Sequence, residues 1–202
     1  MELRSVLKDR KRIIVKVGTS TLTYPNGKLN LSRIERLAWV LTDIKNSGKD
    51  VVLVTSGAIG VGCTNLNFKK RPDEIRKKQA AAAVGQAVLM QIYMNFFKEY
   101  NQKVAQVLLT KDDTNGEQRR KNTINTLETL LELDVIPIIN ANDTISVFEI
   151  EFSDNDRLSA LVAELINADL LILLTDIDGM YDSDPKINKN ARRLSVVPTV
   201  TE

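Results

Sequence analysis

Short runs of apolar residues alternate along the chain with longer amphipathic segments. Five of these runs are almost unbroken and rich in Val, Ile and Leu, so they do not alternate between apolar and polar positions. An apolar run of this kind predicts a strand that is buried on both faces, as in a parallel sheet covered by helices. The five predicted strands are residues 13–17, 51–54, 104–109, 135–139 and 170–174.

The segments between these runs carry apolar residues at the spacing of an α-helix. In the first of them Ile34, Ala38 and Leu41 recur at helical spacing, and Ser32 is a candidate N-cap. Alternating strands and helices predict a three-layer α/β/α sandwich around a mainly parallel sheet. The predicted helices are residues 31–46, 73–100 (as one long helix or two in series), 117–133 and 155–167.

Local features modify this picture in the second half of the chain. Residues 145–152 alternate apolar and polar positions, which predicts a small exposed strand or hairpin between the fourth strand and its helix. Pro137 cannot donate a backbone hydrogen bond, so it is expected near an edge of the sheet or an end of its strand. Asp154 or Ser153 is the expected cap of the last helix. The apolar segment VVPTV lies close to Glu202, so a sixth strand could begin there and the sheet is expected to lack its last strands.

The composition of the chain excludes several kinds of catalytic and metal site. The 202 residues include no histidine, which excludes a Ser-His-Asp triad, a histidine proton shuttle and a histidine metal site. Cys63 is the one cysteine, so an intrachain disulfide and a thiolate zinc site are excluded and a reducing cytoplasm is expected. The formal net charge of +2 gives no reason to expect a nucleic-acid partner. The charged N-terminus is not expected to be a signal peptide, and no apolar run reaches the roughly 18–20 residues of a membrane span.

Candidate chemistry follows the predicted strands, where the ligand crevice of a parallel α/β sheet lies. Lys16 lies one residue before the end of the first strand, and a lysine in an apolar strand is costly unless an anion meets its charge. Two interpretations stay open: a cation aimed at a phosphate beside Gly18, or an ammonium that reaches solvent from an edge strand. Small, hydroxyl, amide or carboxylate residues follow every strand, at positions 18–20, 55–58, 110–112 (with Lys111 among them), 140–143, and 175–176 with 178–179.

Two further segments are candidates for a site. The turn TSGAIGVG fits an ordinary helix cap by Ser56 and an anion-binding turn equally well. Asp154, Asn155 and Asp156 together exceed what a helix cap needs, which favours a site. The cations at residues 71–78 are interpreted as a solvated helix face. Such an inventory, with a cation, hydroxyls and carboxylates but no nucleophile–base pair, suits phosphoryl transfer.

Seven segments carry a family resemblance, in the order IIVKVGTSTLT, VVLVTSGAIGVG, AAAVGQAVLMQIY, QVLLTKDD, IPIINANDTIS, FSDNDRLSALVA and ADLLILLTDIDGMYDSDP. They resemble the amino acid kinase family over residues 11–193. Relatives that act on acetylglutamate carry a Lys-Leu-Gly-Gly start and a Gly-Gly-Gly turn. This chain has KVGTS and TSGAIG there, as in the glutamate-phosphorylating branch. The resemblance implies transfer of the γ-phosphoryl group of ATP to the side-chain carboxylate of L-glutamate, the first step of proline biosynthesis.

The resemblance also implies which residues serve the nucleotide. Lys16 is expected to stabilise the transferring phosphoryl group and to contact ATP, and Asp156 to organise the catalytic lysines. Thr175 and Asp176 match residues that lie beside the nucleotide. Mg²⁺ is expected to bind with the nucleotide phosphates, and no residue is assigned as a metal ligand.

For the substrate, the resemblance implies that Ser56, Asp143 and Asn155 hold glutamate. The carboxylate of Asp143 suits the substrate ammonium. The family usually carries Asn-Glu-Asn-Asp at this point, and here Ala141 replaces the glutamate. That lost carboxylate is expected to alter substrate positioning or a subunit contact.

The family continues with a Gly-Thr-Gly-Gly-Met-x-Thr-Lys segment that binds ATP phosphates, and no such segment occurs up to Glu202. Residues 1–202 are therefore expected to be an amino acid kinase domain truncated within its nucleotide-binding half. They are also expected to lack an RNA-modification-type C-terminal domain and to have little or no kinase activity alone. The resemblance implies a homo-oligomer formed through the helices that flank the sheet, and it leaves open whether proline is a feedback inhibitor.

Two other functions stay open at this stage. A kinase of the same superfamily could act on another carboxylate or on a nucleotide, and the turn around Ser56 distinguishes it. A non-catalytic amino-acid-binding module could keep the glutamate pocket without the ATP clamp. Lys16 and Asp156 argue against such a module, because a protein that only binds an amino acid needs neither.

Overall fold

A five-stranded parallel sheet forms the centre of the chain. A computed structural model describes residues 5–145 and 155–197. The strand order is β3-β4-β2-β1-β5, and every neighbouring pair is parallel. The five predicted strands are thus confirmed, with bounds that shift by two residues at most. They are β1 (Arg12–Val17), β2 (Asp50–Val54), β3 (Val104–Leu109), β4 (Ile136–Ala141) and β5 (Leu170–Leu174).

Helices follow the strands as the periodicity predicts. The long segment after β2 contains one continuous 25-residue helix, α4, rather than two in series. A 3₁₀ turn (Ser5–Asp9) precedes β1, and a short antiparallel pair, β6 (Met180–Tyr181) with β7 (Arg193–Leu194), follows β5. The helices are α1 (Thr19–Leu22), α2 (Leu31–Asn46), α3 (Ala58–Asn65), α4 (Ile75–Glu99), α5 (Lys111–Asn115), α6 (Glu117–Glu132) and α7 (Asn155–Leu165).

Helices cover both faces of the sheet. Successive strand residues face opposite sides, so Ile13 and Val15 of β1 pack with α2 and α4, whereas Ile14 packs with α6 and α7. All three side chains are buried. The three-layer α/β/α sandwich is therefore confirmed, and it explains why the strands read as unbroken apolar runs.

Two glycines bring α3 and α4 into backbone contact. A Cβ built on Gly62 of α3 would lie 1.8 Å from the carbonyl oxygen of Ala81, and one on Gly85 of α4 would lie 1.8 Å from the carbonyl oxygen of Ala58. No side chain fits at either position. This contact fixes the start of α3, and with it the turn that leaves β2.

Two local predictions about helix and strand ends can be checked. Ser32 is not the cap of α2, so that prediction is wrong. Asn30 caps the helix, since its side-chain oxygen accepts from the Arg33 N–H at 3.2 Å, and Ser32 lies in the first turn. Pro137 is the second residue of β4, and the ladder of β4 with β2 begins only at Ile138, so the proline lies near a strand end as predicted. The predicted hairpin at 145–152, apart from Ile145, and the caps Ser153 and Asp154 lie outside the described residues.

Helix α4 is the one described helix that is long and apolar enough to cross a membrane. The face with Leu89, Tyr93 and Phe97 is buried in the main core cluster. A core helix passes the same test of length and composition, and α4 packs as one.

Candidate functional site

Lys16 lies at the carboxyl end of the sheet, in the second-last position of β1. Its neighbours in the ladders are Val54 of β2 and Leu173 of β5, so β1 is an internal strand. The interpretation of an ammonium that reaches solvent from an edge strand is therefore wrong. Its side chain is 11% exposed, and its Nζ lies 2.5 Å from Oδ1 of Asp156 in the first turn of α7. This ion pair offsets part of the cost of burying the ammonium.

Gly18 follows β1 directly beside that ammonium. A Cβ at Gly18 would lie 3.5 Å from the Nζ of Lys16. The small residue therefore leaves the approach to the amine open, in agreement with the sequence interpretation.

The turn after β2 is shaped by Gly57 and not by a serine cap. Gly57 has φ +105°, a left-handed conformation that favours glycine, and α3 has no side-chain cap there. Of the two interpretations left open for this turn, the helix cap by Ser56 is therefore wrong. Its hydroxyl oxygen instead accepts a hydrogen bond of 2.6 Å from the side-chain amide of Asn155.

Asn155 joins the start of α7 to the ends of two strands. Its Nδ2 lies 2.8 Å from the backbone carbonyl of Thr55, 2.6 Å from the Ser56 hydroxyl and 3.2 Å from Oδ1 of Asn140. The amide has two N–H groups, so one of them is shared between two of these acceptors. A carbonyl can only accept, so the atom facing Thr55 must be the amide nitrogen. Ser56 thus accepts from Asn155, and its own O–H is left to donate to another group, such as a ligand carboxylate.

A cleft with a cavity volume of about 70 Å³ opens beside these residues. It brings together Ser56, Asp143 and Asn155, the three residues predicted to hold the substrate, and Ala141 lies in the same wall. The volume suits part of a small ligand and not a nucleotide. The complete lining is Thr19, Ser56, Gly57, Ile59, Gly60, Arg71, Asn140, Ala141, Asp143 and Asn155.

Arg71 is a lining residue that the sequence analysis missed. It was grouped with the cations of a solvated helix face, but α4 begins only at Ile75, so Arg71 belongs to the loop before the helix. It is the one cation among the described residues that line the cleft. Pro72 was the available signal, because a residue before proline is disfavoured in a helix.

A second and larger cavity, of about 510 Å³, lies beyond the carboxyl end of β5. Asp176 lines it and forms an ion pair of 3.5 Å with Lys186 on the same rim. Thr175 lies next to it and donates from its hydroxyl to the carbonyl of Ile177 at 2.9 Å. In the sheet, β1 with Lys16 lies between β2, which leads into the small cleft, and β5, which leads into this cavity.

Two buried groups near the cleft have raised pKa values. Burial raises the pKa of the Cys63 thiol, with a smaller opposing effect of the Arg71 charge. The thiol packs between α3 and α4, as expected for a structural cysteine. Burial also raises the pKa of Tyr93, whose hydroxyl lies 2.8 Å from Oγ1 of Thr55. In the described part of the chain, no group of three or more Asp, Glu or Cys side chains could hold a metal ion.

Comparisons with known proteins agree with this architecture. The profile of the amino acid kinase family matches residues 11–201. The glutamate 5-kinase of Clostridium perfringens is 58% identical over 98% of this chain and 76% of its own length. That of Listeria innocua is 54% identical over 98% of this chain and 74% of its own length, and that of Enterococcus faecalis is 48% identical over 99% and 75%. The structure of UMP kinase from Ureaplasma parvum superposes with a TM-score of 0.59 at 19% identity, covering 91% of this chain and 74% of that one, and supports the fold alone.

Proposed function

Since the chain belongs to the amino acid kinase family, in its glutamate 5-kinase branch, we propose that the cleft beside Ser56 binds L-glutamate and that Lys16 promotes phosphoryl transfer to it. The reaction is the ATP-dependent phosphorylation of the side-chain carboxylate, the first step of proline biosynthesis. The observation that carries the proposal is the position of Lys16 on the strand between β2, which leads into the small polar cleft, and β5, which leads into the larger cavity.

The cleft carries charges that complement an amino acid. Asp143 offers a carboxylate to the α-ammonium, and Arg71 offers a guanidinium to a carboxylate, on the walls of one small cavity. The O–H of Ser56, whose oxygen accepts from Asn155, adds a neutral donor for a carboxylate oxygen.

ATP would occupy the cavity beyond β5, beside Thr175 and Asp176. An oxygen of the substrate side-chain carboxylate attacks the γ-phosphorus of ATP. A new O–P bond forms, the bond from the γ-phosphorus to the bridging oxygen breaks, and ADP leaves with that electron pair. A carboxylate is already ionised at neutral pH, so the step needs no general base. The Lys16 ammonium, held by Asp156, offsets the negative charge on the transferring group.

Mg²⁺ would bind with the nucleotide. This ion usually takes one or two carboxylates together with phosphates and water. Asp176 on the rim of the cavity is a suitable donor, and the ATP phosphates would supply further oxygen ligands.

Three finer expectations accompany this function. We propose that the chain works in the cytoplasm, where a single free cysteine stays reduced. We propose a homo-oligomer formed through the helices that flank the sheet. Proline is the candidate feedback inhibitor.

The test is a calorimetric titration of the chain with L-glutamate, with L-aspartate as the control ligand. We expect glutamate to bind at least about tenfold more tightly, because the shorter aspartate cannot span the same contacts. Ser56→Ala is expected to weaken glutamate binding about tenfold or more, since it removes a hydrogen bond to a charged group. Ser47→Ala, at the exposed end of α2, is the matched control. A folded chain that binds neither amino acid would contradict the substrate assignment.

A further inference from the structure

Gln86 is a buried polar residue in the middle of α4. It is 7% exposed, and its neighbours in the sequence are small or apolar. It does not line the cleft. Its side-chain oxygen Oε1 accepts a hydrogen bond of 2.8 Å from Nδ2 of Asn140, the second-last residue of β4. A helix on one face of the sheet is thereby joined to a residue of the cleft wall.

The direction of this hydrogen bond is fixed by the backbone. The N–H of Ala141 donates to Oδ1 of Asn140 at 2.9 Å, and an N–H can only donate, so that Asn140 atom is the oxygen. The other atom of the Asn140 amide is therefore the nitrogen, and it needs an acceptor. Gln86 supplies that acceptor.

From Asn140 the hydrogen bonds continue to the substrate side of the cleft. Oδ1 of Asn140 also accepts from Nδ2 of Asn155 at 3.2 Å, and that nitrogen donates to Ser56. We call Gln86, Asn140, Asn155 and Ser56 the amide network. Backbone groups set which way the Asn140 and Asn155 amides face, and the network holds these amides together, so the Ser56 hydroxyl accepts from Asn155 and its O–H can donate outward.

We propose that Gln86 is a positioning residue for substrate binding, whose side-chain oxygen holds the amide network so that Ser56 presents its O–H to the substrate carboxylate. This inference rests on the proposed function and extends it to a residue that does not touch the substrate.

Burying the polar side chain of Gln86 costs free energy, and the need to fill space in the core does not explain why a polar residue lies there. Its Nε2 is buried and has no hydrogen-bond partner within the described part of the chain. An unsatisfied buried donor is unfavourable, and a methionine of similar length would fill the same space without one. The hydrogen bond to Asn140 is what glutamine provides at this position and methionine does not.

The test compares Gln86→Met and Gln86→Glu with the wild-type chain. Gln86→Met removes the acceptor, whereas Gln86→Glu keeps an acceptor oxygen at the same reach. Gln91→Met, on an exposed turn of the same helix, is the matched control. Each variant is melted thermally and titrated with L-glutamate and L-aspartate by calorimetry.

We expect Gln86→Met to bind glutamate about tenfold more weakly, with a lower ratio of glutamate to aspartate affinity. Its melting temperature should stay close to that of the wild type, because the substitution removes the unsatisfied Nε2 of Gln86 and leaves the buried Nδ2 of Asn140 without its acceptor. Gln86→Glu is expected to regain most of the affinity. A purely structural role would change the melting temperature and leave that selectivity ratio alone. Should Gln86→Met fail to fold, Gln86→Asn, which withdraws the amide by one methylene, is expected to show the same weaker and less selective binding.

Two outcomes separate this inference from its premise. Equal glutamate affinity and selectivity in wild type, Gln86→Met and Gln86→Asn overturn the role of Gln86 and leave the proposed function standing. Absence of glutamate binding by the folded wild-type chain overturns the proposed function, and the inference falls with it.

Discussion

Lys16 shows how a single residue can carry a functional charge in an apolar strand. Val54 and Leu173 flank it in the sheet, and within residues 5–145 and 155–197 its one ion pair is with Asp156, whose side chain is 53% exposed. Water screens such a pair, so it contributes little net stability. The lysine is thus placed for its charge and at some cost to the fold.

Replacing this lysine should therefore separate stability from function. Lys16→Met is expected to leave the free energy of unfolding unchanged or to raise it by about 1 kcal/mol, because methionine suits an apolar strand. Its affinity for ATP is expected to fall about tenfold or more, since a phosphate contact is lost. Urea unfolding and titration with a fluorescent ATP analogue measure the two effects. Lys28→Met, on an exposed turn, is the control, and a strongly destabilised Lys16→Met would show that the lysine is structural.

Arg71 gives a second prediction at this scale. Arg71→Gln is expected to weaken glutamate binding by roughly 10-fold to 100-fold, because a charge-assisted hydrogen bond to a carboxylate is removed. Arg76→Gln, on a side chain that is 84% exposed and outside the cleft, should bind as the wild type does. Calorimetry measures the glutamate affinity of both variants. Equal affinities for Arg71→Gln and Arg76→Gln would exclude Arg71 from substrate binding.

The contrast between these two residues shows what the sequence could predict of the site. Lys16, Ser56 and Asn155 follow or end elements of a parallel sheet, and such ends converge by topology, so local patterns were enough to bring them together. Arg71 reaches the cleft from a loop whose path depends on the packing of α3 against α4. Its position therefore could not be derived from local periodicity.

At the scale of elements, the backbone contact between α3 and α4 leads to a sharp prediction. Gly62→Ala would force a methyl group into the Ala81 backbone, so we expect a loss of about 3 kcal/mol or more, or no folding. Gly60→Ala is the matched control in the same helix, since its Cβ would meet nothing closer than a Thr19 methyl group at 4.0 Å. It should be neutral or stabilising by up to about 1 kcal/mol. Denaturant unfolding compares them, and equal stabilities would mean that the two helices lie farther apart.

Tyr93 makes the link between α4 and β2 sensitive to alkaline pH. Its pKa is raised by burial, so above about pH 10 the unfolded chain loses a proton that the folded chain keeps. The stability contributed by this group is complete below pH 10 and declines above it by up to about 1.4 kcal/mol per pH unit. Tyr93→Phe should be about 1 kcal/mol less stable at pH 7 and should approach or overtake the wild type near pH 11. Unfolding curves at both pH values check this, with the exposed Tyr24→Phe as control.

Element types were predictable where periodicity was strong, and element ends were not. Residues 31–46 and 104–109 match α2 and β3 residue for residue. The fourth strand was expected to stop at residue 139, because the polar Asn140 looks like the start of a loop. Asn140 continues the strand since its amide is satisfied inside the protein, a long-range fact that no local window contains.

Across the whole molecule, the two ends of the parallel strands have different roles. We call the side of the sheet where the strands end the carboxyl edge, and the side where they begin the amino edge. The carboxyl edge carries the cleft, whereas the amino edge carries Arg12, whose guanidinium makes two hydrogen bonds to Glu128 at 2.7 and 3.0 Å and one to the Ile166 carbonyl at 2.6 Å. This arginine joins β1, α6 and the segment after α7. The order of the strands in the sheet results from pairing between segments that lie far apart in the sequence. The apolar pattern alone could not predict that order.

Substitution at the amino edge should change stability without changing binding. Arg12→Lys loses the paired geometry with Glu128, and we expect a loss of about 1–2 kcal/mol in the free energy of unfolding. Glutamate affinity should stay within about twofold at a temperature where the variant is folded, because the cleft lies at the other edge. Denaturation and calorimetry test both parts, with the exposed Arg10→Lys as control. A parallel loss of affinity would indicate that the two edges are coupled.

The amide network also determines how the cleft responds to acidity. Carboxamides and a serine hydroxyl neither gain nor lose protons between about pH 5 and 9, and the chain has no histidine to do so. The orientation of the donors in the cleft is therefore set once, at folding, and persists across the physiological range. A change in cellular pH would therefore alter ligand binding through the ionisation of the ligand or of other parts of the protein. The geometry of the amide network itself would stay constant.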